Sequence, residues 1–163
     1  LAGYMLIVSP LLCDRYQLLN LHPAKPSGPV GTWMEVIDHL INDRATESGI
    51  MIHVATKDVD QGPVLSYCTF DIRDAESEHL WRKLDKVETK PNQSKLIEGA
   101  RDEIFTLVRS KQLLYERPFF VETLRAFADR RIAQGGNFTR TPLNLTAEVA
   151  EMFKSDPSHS AGQ

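Results

Sequence analysis

Cysteine is scarce in this chain of 163 residues: Cys13 and Cys68 are the two, and their spacing matches no metal-binding pattern. Two free thiols in a reducing cytoplasm is therefore the reading, with no disulfide and no metal site expected. No charge of one sign prevails. Lys and Arg number 19 against 22 Asp and Glu, a net charge of -3, which gives no support to a whole-domain nucleic-acid footprint. Long hydrophobic runs are missing too. The most apolar stretch, LAGYMLIVSPLLC, is broken by Pro10 and is too short to span a bilayer. It also lacks the basic segment that opens a signal peptide. Two glycosylation patterns, Asn137-Phe138-Thr139 and Asn144-Leu145-Thr146, stand without any other sign of secretion. The chain reads as a cytoplasmic globular protein with no membrane partner.

What is present is a chain of single-domain size that alternates strands and helices in front and is helical behind. Leu1 to Val8 fits a buried strand, and a chain opening inside one reads as part of a larger protein. Ser9-Pro10 opens a helical turn to Tyr16, and Leu18 to Leu21 is the second strand. Prolines 23, 26 and 29 with Gly28 and Gly31 make 23–31 a loop. Thr32 caps a helix whose Trp33, Val36, Ile37, Leu40 and Ile41 share one apolar face. Ile50 to Thr56 and Val64 to Phe70 predict antiparallel strands joined by KDVDQGP. Three helices follow: 74–87 capped by Asp74, then Ser94 to Leu114, then Phe119 to Ala133, divided by Pro118 and stopped by Gly135-Gly136. Residues 154–163 predict a disordered tail.

The second strand ends LLNLHP. Side chains two apart in a strand point the same way, so Asn20 and His22 share a face. Sites in open α/β sheets lie beyond the carboxyl ends of strands. A third polar candidate is Asp60, in a loop whose turn is set by Gly62 and Pro63. An Asn, a His and an Asp together suit acyl transfer to an amine or to water. The amide and an imidazolium can stabilise a developing oxyanion, and a carboxylate favours the charged imidazole and orders a proton-carrying water. Taken alone, N-x-H-P is a weak pattern, and spacing by itself favours a capping Asn20 beside a satisfied buried His22.

The ordered series LAGYM, LNLHP, Gly31 and MIHVATKDVDQGPVL resembles the folate-dependent formyltransferases, which include glycinamide ribonucleotide formyltransferase. In that family an A-G-[FY]-M strand precedes N-[IV]-H-P and then an H-x-x-T-x-x-x-D-x-G-P hairpin. The resemblance covers about Leu1 to Phe70. It implies an α/β fold: a partial, Rossmann-like formyltransferase sheet with a β-hairpin, followed by a helical C-terminal region. The division expected is 1–90 for the catalytic half, 91–153 for a helical extension and 154–163 for the tail.

Carried over by position, the resemblance implies catalytic roles for Asn20, His22 and Asp60. It implies 10-formyltetrahydrofolate as formyl donor and no metal. The donor's pteridine would be held largely by backbone groups of Leu6, Ile7 and Val8 and of Thr56, Lys57, Asp58 and Val59, with Leu18 lining the pocket. His53 falls on a position that is commonly histidine and is read as structural support. The acceptor implied is a small-molecule amine, most of all glycinamide ribonucleotide in purine biosynthesis. Alternatives are water, as in formyltetrahydrofolate hydrolase, methionyl-tRNA or an amino sugar nucleotide, or an inactive fragment. The family's usual H-P-S-L-L-P is here H-P-A-K-P-S, which leaves the acceptor open and makes Lys25 a candidate for a phosphate or carboxylate. The family's glycine-rich phosphate loop would lie ahead of Leu1. The flank of the first strand is a candidate surface for pairing with a second copy.

Overall fold

The structure, a computed structural model, describes residues 8–89, 92–132 and 141–155. The strand expected at Leu1–Val8 (all but its last residue), the glycine stop at 135–136, the pattern at Asn137 and the tail from 156 onward lie outside those residues. Ser9 and Pro10 start helix α1, Pro10–Arg15, none of whose residues is buried. Strand β1, Leu19–His22, ends where Pro23 removes the next backbone N–H. Helix α2, Trp33–Asn42, begins with a full capping box. The Thr32 hydroxyl accepts from Glu35 N, and the Glu35 carboxylate accepts from Thr32 N.

Strands β2, Glu47–Val54, and β3, Val64–Asp71, are antiparallel as the sequence predicts, although β2 begins and ends earlier than Ile50–Thr56. The register runs Ile52↔Ser66 and then His53↔Val64, so Leu65 is an extra residue beside the hairpin connection. β1 pairs antiparallel with the far side of β2, and β4, Leu143–Asn144, adds a parallel pair on β3, giving the order β1-β2-β3-β4. The result is the mixed α/β fold expected, with a four-stranded mixed sheet.

Two expectations in the helical half are corrected. The segment 74–77 is a turn, and helix α3 spans Glu78–Glu88. Asp74 and Ser77 satisfy each other there: Asp74 Oδ1 accepts from Ser77 N, and Ser77 Oγ accepts from Asp74 N. Pro118 does not divide two helices. Helix α4 runs unbroken from Ser94 to Ala128 with Pro118 inside it. A proline in a helix interior costs about 3 kcal/mol through its lost hydrogen bond and ring clash. Residues on both sides of it offset that by packing on one surface: Ile104 and Val108 before, Phe119 and Ala126 after, all fully buried. Each large apolar side chain so buried contributes about 1.5–3 kcal/mol.

Ile50, Ile52, Ser66, Cys68 and Phe70 lie on one face of the sheet by register, and α4 packs there. Phe70 stacks on Tyr115 with ring centroids 4.3 Å apart, and Ser66 Oγ meets Thr123 Oγ1 at 3.0 Å. Buried residues of α2, β2, β3, α3, α4 and the last helix, α5 (Thr146–Ser155), form one continuous core. The sequence predicts no strand at β4, whereas α5 falls in the helical extension expected over 91–153 and continues through Lys154 and Ser155, which correct the start of the disordered tail expected at 154. Asn144 has a structural part here: its Oδ1 accepts from Thr146 N and Thr146 Oγ1 at the start of α5. The opposite face of the sheet carries Asn20, His22, Met51 and His53.

Candidate functional site

Asn20 and His22 point from β1 to the same face, as strand alternation requires, and Asn20 lies directly opposite His53 of β2. Asp60 reaches them from the 55–63 connection between β2 and β3. Its φ of 55° places it in the left-handed region, one that Asp tolerates better than most residues. Two residues on, Gly62 allows the connection to fold back on β2: a Cβ there would stand 1.8 Å from the Val54 carbonyl oxygen. The turn chemistry read from the sequence thus delivers the carboxylate to the strand end.

Asp60 is the hub. Its Oδ2 lies 3.4 Å from His22 Nδ1 and accepts from the Gly31 N–H at 3.2 Å. Its Oδ1 accepts from Asn20 Nδ2 at 3.4 Å and lies 3.5 Å from His53 Nε2. Asn20 Nδ2 is also 3.3 Å from His53 Nε2. The His22 and Asp60 side chains are only 3% and 8% exposed, so these contacts are made away from bulk water.

Carbonyl oxygens only accept, and that fixes one proton on each ring. His22 Nε2 donates to Pro29 O at 2.9 Å, and His53 Nδ1 donates to Val54 O at 3.0 Å. His53 Nε2 faces both Asn20 Nδ2 and Asp60 Oδ1. His22 Nδ1 faces the Asp60 carboxylate. Burial opposes ionisation of Asp60. Hydrogen bonding with His53, the charge of His22 and the Gly31 N–H outweigh it and hold the carboxyl below the usual range. An ionised Asp60 between two imidazoles suits a site that must hold positive charge next to a reacting carbonyl.

The other expected residues fall as follows. Leu18 is half-buried, and its carbonyl accepts from Ala55 N at 2.8 Å, tying the start of β1 to the hairpin connection. Thr56 Oγ1 donates to Asp58 O at 3.0 Å, while Lys57, Asp58 and Val59 are exposed on the loop leading to Asp60. Val8 is half-buried, and Leu6 and Ile7 lie outside the described residues. Lys25 pairs with Glu47 at 2.8 Å, so it does not stand as an unpaired cation. His53 does more than support the strand, because it contacts both Asn20 and Asp60. Its signal in the sequence was strand alternation, which puts it on the site's face. Gly31 and Pro29 act through backbone atoms, for which residue type leaves no signal.

Residues 1–94, more than half of the chain, match the family described as formyl transferase. The chain belongs to the formyl transferase family. Formyl transfer is accordingly the chemistry this domain carries, and the match takes in Asn20, His22, His53 and Asp60 alike. It extends past Phe70, where the legible motifs end, and stops at Ser94, the first residue of α4. A comparison with curated proteins gives no match. Among the described residues no cluster of three or more His, Cys, Asp or Glu is arranged to hold a metal ion. No helix among them is long and apolar enough to cross a membrane.

Proposed function

We propose that this formyl transferase moves a formyl group from 10-formyltetrahydrofolate to a small-molecule amine, with glycinamide ribonucleotide as the leading acceptor and purine biosynthesis as its setting. The observation that carries the proposal is the meeting of Asn20, His22 and Asp60 at one strand end. The amine nitrogen attacks the formyl carbon, and the carbonyl oxygen becomes anionic. Asn20 Nδ2 and the His22 imidazolium are the donors that stabilise it. Each currently serves a protein acceptor, Asp60 Oδ1 for Asn20 and Pro29 O for His22, and each turns to the substrate by giving that acceptor up.

Collapse of the tetrahedral centre breaks the bond from the formyl carbon to N10. The amine loses a proton, N10 gains one, and Asp60 takes part in the relay through an ordered water. The exposure of Lys57 to Val59, beside Asp60, supports their part in holding the donor. Removing one oxyanion donor typically costs 10² to 10³ in kcat, about 3–4 kcal/mol.

A second reading is hydrolysis of the formyl donor, with water as acceptor. The Lys25–Glu47 pair favours it, because the loop residue best suited by sequence to meet a phosphate already has a partner. One assay separates the two. The full-length protein is given 10-formyltetrahydrofolate with glycinamide ribonucleotide, and then with water alone. Release of tetrahydrofolate only with the amine supports transfer, equal release supports hydrolysis, and no release in either arm removes both. A His22→Ala variant that retains full turnover would remove the mechanism while leaving the family assignment intact.

A further inference from the structure

We propose that Gln112 and Arg109 of α4 are positioning residues for this site, clamping both ends of the 23–32 loop that orients His22 and Asp60. The inference rests on the proposed formyl-transfer reading for its kinetic consequence, and on geometry alone for the clamp. Helix α4 begins where the family match stops, yet it reaches the strand end that carries His22.

Gln112 is fully buried on α4, on a helix whose other buried positions include Val108 and Phe119. A glutamine there loses hydration and side-chain freedom, and an apolar residue of like volume would fill the space at lower cost. What it supplies is a donor. Its Nε2 donates to Pro23 O at 3.0 Å, across 89 positions of sequence. The β1–β2 pairing stops at His22, so this bond serves the first carbonyl beyond the ladder and sets the direction in which the loop leaves.

The other end is held by Arg109. Its guanidinium lies 4.6 Å from the centroid of the Trp33 ring and is fixed by Glu116 at 3.2 Å, with a longer contact of 3.5 Å to Gln112 Oε1. Trp33 is the first residue of α2, immediately after the Thr32 cap. Between the two grips lie Pro29, whose carbonyl accepts from His22, and Gly31, whose N–H holds Asp60. Moving either end of the loop therefore moves the partners of both catalytic groups. A misplacement of about 1 Å can cost up to 10² in rate.

The test uses full-length protein labelled with ¹⁵N-histidine, comparing wild type with Gln112→Met, which keeps length and volume but removes the donor. The imidazole nitrogen signals of His22 should shift, and kcat should fall about tenfold with KM for the formyl donor within about twofold, as expected of a misplaced group. Arg109→Met, a change at a partly exposed residue, should move the same signals by a smaller amount. It serves as the test if Gln112→Met fails to fold. A folded variant whose His22 signals and kcat both match wild type would overturn the proposal. So would a lowered Tm with neither readout changed, since that is a packing role alone. If wild type itself transfers no formyl group, the functional reading fails, and the imidazole signals alone then decide the clamp.

Discussion

Asp60 Oδ2 sits 3.4 Å from His22 Nδ1 while the other nitrogen of that ring donates to the Pro29 carbonyl 2.9 Å away. The ring is thereby held at both ends, by a carboxylate from one loop and a backbone oxygen from another. An imidazole so fixed has both ring nitrogens engaged and its orientation set.

Replacing Asp60 by Asn tests that arrangement with little change in shape. The charge facing His22 Nδ1 disappears, and formyl turnover should fall by about 10² to 10³, within the range for losing one acid–base participant. The measurement is kcat for tetrahydrofolate release, with circular dichroism to show that the fold is kept. Turnover within about threefold of wild type would be inconsistent with a catalytic charge at this position.

Acid should destabilise the protein through its paired carboxyls. Burial opposes ionisation of Asp74, but hydrogen bonds from Lys111 and Ser77 pull its carboxyl far below the usual range, and Asp60 is depressed as well. A carboxyl depressed in the folded state contributes stability at neutral pH. That contribution is kept above the unfolded value of about 3.9 and is lost as pH falls through the lower folded value. Denaturant midpoints should therefore drop between pH 5 and the most acid pH at which the fold persists. Asp74→Asn should flatten that decline and lower the midpoint at pH 7.

Gly62→Ala should damage both fold and site. The added methyl would meet Val54 O at 1.8 Å, a backbone atom that cannot step aside without shifting β2 or the loop. About 2–3 kcal/mol of stability should be lost, as in other overpacked sites. Because the same turn delivers Asp60, activity should fall by more than the loss of folded protein explains. Unfolding curves and kcat per folded molecule check the two parts separately.

The two thiols should respond differently to a thiol reagent. Cys68 is fully buried, and burial pushes its thiol up to about 12, whereas Cys13 is partly exposed on α1. The native protein should release one equivalent of a disulfide reagent's chromophore quickly, and the second only on unfolding. Fast reaction of both would place Cys68 outside the core.

Much of the site was legible because its determinants are local. Strand alternation puts Asn20, His22 and their neighbours on faces two residues apart, and Gly62-Pro63 announces the turn that carries Asp60. The cap at Thr32 likewise lies next to the helix it starts. Lys25 was legible only as a loop cation, because its partner Glu47 is 22 positions away. The break expected at Pro118 failed for a related reason: a proline's local penalty is visible in sequence, whereas the burial on either side of it is not.

By itself, then, the sequence determined the antiparallel hairpin and the helix after Thr32, since periodicity and turn chemistry act over a few residues, and its ordered motifs carried the resemblance to the formyl transferases. Tertiary structure alone decided that α4 is continuous, that β4 and α5 complete the sheet and core, and that Gln112 meets the carbonyl after His22. Those outcomes depend on which surfaces close over one another, and burial free energy is summed across the whole fold rather than along the chain.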